Sequence, residues 1–158
     1  MDLSLYRPNV GVVLFHPDGR VWYGRRHGVA GINNWQFPQG GVDDGEDLLD
    51  AARRELKEET GVGSADLLAC TPDWIAYDFP PEMVSRKATK GWRGQKQIWF
   101  AMRFTGDERE IDLNQHHEIE FDAWRWGPLA EAPELIAPFK RTAYEQVVAA
   151  FAHIGAAA

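Results

Sequence analysis

"GGVDDGEDLLDAARRELKEETGV", residues 40–62, decides how the rest of the chain is read. From Glu46 to Thr60 it contains neither Gly nor Pro, and Gly61 then follows as a C′ residue, so a helix is predicted over 46–60. At about 100° per residue, Glu55, Glu58 and Glu59 share an arc of roughly 100°. That arc borders the apolar stripe of Leu49, Ala52 and Leu56, whereas Asp50, Arg53 and Lys57 lie on the far side. Like charges three and four residues apart repel one another. A solvated acidic helix softened by Arg53, Arg54 and Lys57 would explain the string taken alone. Carboxylates clustered on one rigid element at the core's edge suit a hard divalent cation better, because its binding converts their repulsion into attraction.

The remainder of the chain bounds what such a helix serves. With 158 residues, 44% hydrophobic and 26% charged, the composition is that of one globular domain with its own core. Seven tryptophans direct attention to aromatic packing or base-stacking surfaces. The single Cys70 excludes an internal disulfide and reads as a small packing residue. "MDLSLYRPNV" has no cationic, apolar leader character, so a reduced cytoplasmic setting is expected. No apolar run approaches the roughly 18–20 residues that span a membrane. A net charge of −7 argues against broad nucleic-acid coating, DNA included. Residues 82–97, however, set Arg86, Lys87, Lys90, Arg93 and Lys96 against Glu82 alone. Such a segment is either a solvated loop or the receiving site for one polyanion.

Around the helix, "VGVVLF" (10–15) and "RVWYGRR" (20–26) are β-rich runs joined by "HPDG", a hairpin signal. "HGVAGINN" is a polar loop, and "WQFPQGGVDDGE" (35–46) is a non-helical approach to the helix. "LLACTPDWIAYDFP" (67–80) predicts one or two strands broken at Pro72. "KQIWFAMRF" (96–104) and "EFDAWRW" (120–126) predict two further strands. Tyr144, Val147, Val148, Phe151 and Ile154 recur at helical spacing in a closing amphipathic helix. Strands with two dispersed helices point to an α/β protein, a mixed sheet covered on its faces.

Gly40, Glu46, Arg54–Glu55–Leu56, Glu58–Glu59 and Gly61–Val62 match, with their spacing, all nine defined positions of the Nudix box, and the chain resembles a Nudix hydrolase. The resemblance implies a Nudix-type α/β/α sandwich with a mixed β-sheet, one domain over residues 1–158 with a core from about 6 to 154. It also implies hydrolysis of a nucleoside diphosphate linked to another group. By position, Glu55, Glu58 and Glu59 would be metal-binding carboxylates, with Glu59 also the base towards the attacking water. Arg54 would lock the glutamates, Glu46 would support the loop–helix junction, and Gly40 would offer a carbonyl ligand. Mg²⁺ is the implied cofactor, with Mn²⁺ the alternative. Metals on the phosphate oxygens neutralise charge, so no serine or cysteine nucleophile is required.

"YRPNVG" (6–11), "WQFPQGG" (35–41), "GQKQIWF" (94–100), "EFDAWRW" (120–126) and "PFKR" (138–141) narrow the resemblance. Together they are similar to a bacterial Nudix branch of RNA pyrophosphohydrolases and dinucleoside polyphosphate hydrolases. In that branch Glu120 would be a further metal ligand, with Glu118 a near neighbour of the same chemistry. Arg7, Arg26, Lys96 and Lys140 would sit near the polyphosphate or the RNA 5′ end, where Arg and Lys suit phosphate. Tyr77 and Phe139 would contact a base, or else serve as core or rim residues. His27 and the long "HGVAGINN" loop depart from the pattern. His116 and His117 are adjacent, so their side chains diverge and a zinc site is not expected. The implied activity is 5′-end processing of RNA, converting a 5′-triphosphate to a 5′-monophosphate. The alternative is asymmetric cleavage of diadenosine tetraphosphate-type dinucleotides to ATP and AMP. A non-catalytic nucleotide sensor is disfavoured by the complete glutamate set. The expected partner is therefore an RNA 5′ end or a dinucleoside polyphosphate, not a membrane, and the sequence indicates no protein partner.

Overall fold

The computed structural model describes residues 2–83 and 89–157. Arg86 and Lys87 of the basic segment lie outside the described residues. The organising strand is β1 (Tyr6–Phe15), which extends the predicted apolar run towards the N-terminus. It runs parallel to β7 (Gly94–Phe104), from Tyr6 opposite Gly94 to Phe15 opposite Arg103. β5 (Ala65–Cys70) and β6 (Ile75–Asp78) pair antiparallel with the two halves of β7. They are the two strands expected on either side of Pro72.

The other edge of β1 is divided. At its end, β2 (Val21–Arg26) returns through the expected turn, Phe15 opposite Val21. The His16 and Gly19 N–H groups close that turn on the Arg20 and His16 carbonyls. Near its start, β4 (Gln39–Gly41) pairs with Asn9–Gly11. β2 also carries β3 (Trp35–Gln36) and β8 (Phe121–Gly127), completing a mixed sheet. β4 thus lies beside β1 and passes the chain on to α1 (Leu48–Thr60). Asp47 caps α1, its carboxylate accepting from the Asp50 N–H, and Gly61 ends it.

Alternation along β1 explains the two covered faces. Val10, Val12 and Leu14 pack with Ala52 and Leu56 of α1. Val13 and Phe15 pack with Tyr144, Val147 and Phe151 of the closing helix, named α3 (Arg141–Ala157) after a short α2 (Ala132–Leu135). A strand buried on both sides reads as a continuous apolar run, which is why "VGVVLF" lacks polar alternation. The result is an α/β/α sandwich. The closing helix begins only at Arg141 because Pro138–Lys140 forms a 3₁₀ turn before it. Among the described residues no helix is long and apolar enough to cross a membrane. One expectation fails: Cys70 is exposed on β5 and is not a packing residue. Among the described residues β5 pairs only with β7, and it is largely exposed, so a small apolar side chain there has little to pack against.

Beneath α3, Phe37 stacks on Tyr144 with centroids 5.2 Å apart, and Trp99 meets both rings edge-on at 5.9 and 5.5 Å. The Trp99 indole lies directly over Gly11, in the space a Cβ there would occupy. Gly11→Ala is therefore expected to destabilise the protein by ~1–3 kcal/mol through overpacking. Urea unfolding would read this as a lower midpoint with an unchanged slope.

Candidate functional site

Arg54 is the hub of the helix's acidic arc. Its Nε and Nη2 donate to Glu46 at 2.8 and 3.0 Å, a two-pronged contact across the loop–helix junction. Nη1 donates to Glu55 at 2.8 Å and to Glu58 at 3.3 Å, and Nη2 also reaches the Gly41 carbonyl at 2.9 Å. Glu46 in turn accepts from the Asp43 N–H at 3.0 Å. The Arg54 hydrogen bonds hold the Glu46 carboxyl down at about 2. The same carboxylates push the Arg54 guanidinium further up.

Glu59 differs from its neighbours. It is 8% exposed, and one carboxylate oxygen accepts from the Gln39 N–H at 3.0 Å. Burial first, then the charges of Glu120 and Glu55, raise its pKa well above the ordinary carboxylate range. Burial likewise raises Glu55, with Arg54 opposing and Glu58 and Glu120 adding. These four glutamates therefore share one electrostatic environment. Glu118 has an exposed side chain, with one oxygen 3.9 Å from His117 Nε2. His116 and His117 do not splay as expected, since their rings lie 4.3 Å apart, and His116 Nε2 comes 4.0 Å from Glu58.

Among the described residues no three acidic or imidazole side chains already converge as a closed cation cage. Arg54 holds one oxygen of Glu55 and one of Glu58 to itself. The donor set nevertheless suits a hard divalent cation. It offers oxygen ligands, mutual repulsion and a buried Glu59 whose charged form is held only by a backbone N–H. Gly40 keeps this approach open, because any Cβ there would fall within the Glu55 carboxylate.

A basic and aromatic wall stands beside the acids. Lys140 is 6% exposed, and burial and the Arg26 charge bring its ammonium down to about 8, while Glu120 and Glu59 oppose the shift. Its Nζ lies 5.7 Å from the Tyr77 ring centroid and 5.6 Å from that of Phe139. Tyr77 and Phe139 meet at 5.8 Å, and Tyr77 is buried while Phe139 is half-buried. Arg7 lies against the Gly41 backbone. Lys96 is engaged elsewhere, its ammonium 4.9 Å from the Trp74 ring centroid and within electrostatic reach of Asp2. Of the sequence candidates, Arg26, Tyr77, Phe139 and Lys140 thus gather with the glutamates, Arg7 joins the glycine approach, and Lys96 faces Trp74.

Sequence reasoning missed Gln39, Gln97 and Asn9. Gln97 Nε2 donates to Asn9 Oδ1 at 2.8 Å and to Gln39 Oε1 at 2.6 Å, and the Gln39 N–H meets Glu59. The available signal was a polar residue at an otherwise buried position in each of "RPNVGV" and "KQIWF".

Known proteins resemble this chain in sequence and in fold. The NUDIX domain matches residues 5–147. An RNA pyrophosphohydrolase of Caulobacter vibrioides is 69% identical over 152 residues, covering 96% of this chain and 88% of that protein. One from Rhizobium meliloti is 52% identical over 158 residues, covering 94% and 95%. Among solved structures, the E. coli dihydroneopterin triphosphate pyrophosphohydrolase superposes with a TM-score of 0.65 at 22% identity, covering 89% of this chain and 95% of that one. A C. elegans Ap4A hydrolase complex gives 0.64 at 18%, covering 93% and 98%. At these identities the two structures speak for the fold alone.

The Arg54–Glu46 contact has a pH signature. With the folded carboxyl at about 2 against an ordinary 4.5, its contribution is complete above 4.5 and is lost as pH falls through that interval. Glu46→Gln is expected to lower the urea midpoint at pH 7, and the gap to the unsubstituted protein should narrow as pH drops from about 4.5 towards 2. A gap independent of pH would show that the ionised carboxylate is not what Arg54 holds.

Proposed function

The chain belongs to the Nudix family, and we propose that it is an RNA pyrophosphohydrolase, converting 5′-triphosphate RNA to 5′-monophosphate RNA. One observation carries this reading: two relatives with that name, at 69% and 52% identity, align over nearly the whole of both chains. The dinucleotide alternative has only a fold-level likeness at 18% identity in its favour. As a Nudix hydrolase the protein acts on a pyrophosphate linkage with a divalent metal, which we take to be Mg²⁺, with Mn²⁺ able to replace it. The cytoplasm is the compartment this reading implies, and residues 6–154 the catalytic unit.

Glu55, Glu58, Glu59 and Glu120 would hold the cation, with the Gly40 carbonyl beside them. When bound, it supplies charge neutralisation at the phosphates and acidifies water. The chain's own residues do the rest. Glu59 takes the proton of the attacking water, and burial among carboxylates supports this role by raising its affinity for a proton. Arg54 keeps Glu55 and Glu58 in place between turnovers. Arg26 and Lys140 bind the 5′ phosphates, with Arg7 beside the glycine approach, and Tyr77 and Phe139 offer aromatic faces to a base; Lys96, turned to Trp74, is left out of this set. Attack releases pyrophosphate at once or phosphates in succession, and both routes end at the monophosphate. The enzyme's contribution is positioning and electrostatics, with little covalent work.

Glu59→Gln is expected to retain the fold and to lose about 10²–10⁴-fold in kcat with 5′-triphosphate RNA. Undiminished turnover would remove Glu59 as the base. Chelation of divalent metal should abolish hydrolysis, and added Mg²⁺ should restore it. Competition between 5′-triphosphate RNA and diadenosine tetraphosphate on one preparation tests the substrate. Efficient turnover of the dinucleotide alone would overturn the RNA reading.

A further inference from the structure

Three side-chain amides lie on neighbouring strands beneath the glutamates, outside any role given above. Asn9 on β1 stands opposite Gln97 on β7, and Gln39 on β4 is opposite Gly11, two residues along β1. Gln97 is fully buried and Asn9 is 2% exposed. The orientation of this network is determined by its one unambiguous donor. The Trp99 indole N–H can only donate, and it meets Gln97 Oε1 at 3.1 Å. Nε2 of Gln97 must therefore face the other way, and its two protons go to Asn9 Oδ1 at 2.8 Å and Gln39 Oε1 at 2.6 Å. Both Nε2 protons of Gln97 are thereby used, and a flipped amide would set its Nε2 donor against the Trp99 N–H.

The consequence reaches the reaction centre through a single residue. Gln39, anchored by its side chain, presents its backbone N–H to Glu59 at 3.0 Å. The next residue is Gly40, whose Cα lies against the Glu55 carboxylate. We propose that the Asn9–Gln97–Gln39 amide relay is a positioning device for the hydrolytic reaction, locking the Gln39–Gly40 backbone so that its N–H orients the Glu59 carboxylate. This rests on the reading of Glu59 given under the proposed function. Buried polar networks are costly when half satisfied and rigid when complete, so one that ends on the proposed base has a use beyond packing. An apolar trio would fill the same space without fixing that N–H.

The test is a cycle of Gln39→Ala, Gln97→Met and the double variant, read in two ways. Gln39→Ala keeps the backbone N–H and removes only its anchor on a half-buried residue. The metal-free, substrate-free protein is followed by residue-resolved amide hydrogen exchange. Activity is measured on whichever of 5′-triphosphate RNA and diadenosine tetraphosphate the unsubstituted protein hydrolyses, so failure of the RNA reading leaves this test intact. In each single variant the Gln39 N–H is expected to lose protection, and kcat to fall about tenfold or more with KM unchanged. The double variant should be no worse than either single one, because both cut the same link. A kcat for Gln39→Ala equal to the unsubstituted enzyme's, an unchanged Gln39 N–H, or single effects that multiply in the double variant would each overturn the proposal. If Gln97→Met fails to fold, Gln39→Ala decides the matter through the same two readouts.

Discussion

Everything at the site depends on how an excess of negative charge is contained on one helix. Glu55, Glu58 and Glu59 repel one another, and Arg54 on the same helix is the cation that answers them. Its planar fork contacts Glu46, Glu55, Glu58 and the Gly41 carbonyl together, which a lysine's single point charge would not do. In doing so it ties the approach loop to the helix, so the backbone beside the carboxylates is held by the same group that neutralises them. Glu59 lies beyond that fork. One of its carboxylate oxygens accepts from the Gln39 backbone N–H, and burial raises its affinity for a proton well above that of an ordinary carboxylate. Arg54 holds the Glu46 carboxyl down while burial pushes Glu59 up, so the proton affinities of carboxyls around one helix are driven apart by their surroundings.

The sheet supplies the rigidity this arrangement requires. β1 is paired along its whole length with β7, and its other edge is divided between β2 and β4. β4 therefore carries Gln39, Gly40 and Gly41 as a paired strand, not as a free loop, up to the glutamates. The core on either side supports it: Trp99, Phe37 and Tyr144 beneath α3, and Val10, Val12 and Leu14 against α1. On the same ground stand Lys140, Tyr77 and Phe139, which bring cationic and aromatic surface to the acids from the far end of the chain.

Local patterns were legible in proportion to how local their causes are. The absence of breakers and the Gly61 stop predict a helix over 46–60, which forms two residues shorter, Leu48–Thr60, because Asp47 caps it, and the Glu55–Glu59 arc follows from helical geometry. Glu120 was preferred to Glu118 only through the family resemblance, since both carry the same chemistry in one short stretch. In the structure Glu120 precedes β8, its carbonyl accepts from the His27 N–H, and its carboxylate is close enough to affect Glu55 and Glu59. The exposure of Cys70 was not legible because it depends on β5 having β7 as its one strand partner among the described residues, which is a property of the sheet and not of the strand.

By itself, then, the sequence determined the reaction-bearing helix, the strands around it and the family, because dihedral preference, period and motif spacing act between residues a few positions apart. Only the tertiary structure decided which distant groups meet. Lys140 and Arg26 lie more than a hundred residues apart along the chain, yet the Arg26 charge helps to bring the Lys140 ammonium down. Lys96, which the sequence grouped with them, turns to Trp74 instead. Asn9, Gln39 and Gln97 become one hydrogen-bonded unit only when β1, β4 and β7 lie side by side. Burial, which sets the proton affinity of Glu59 and Lys140, is a property of everything packed around them and is written in no single stretch.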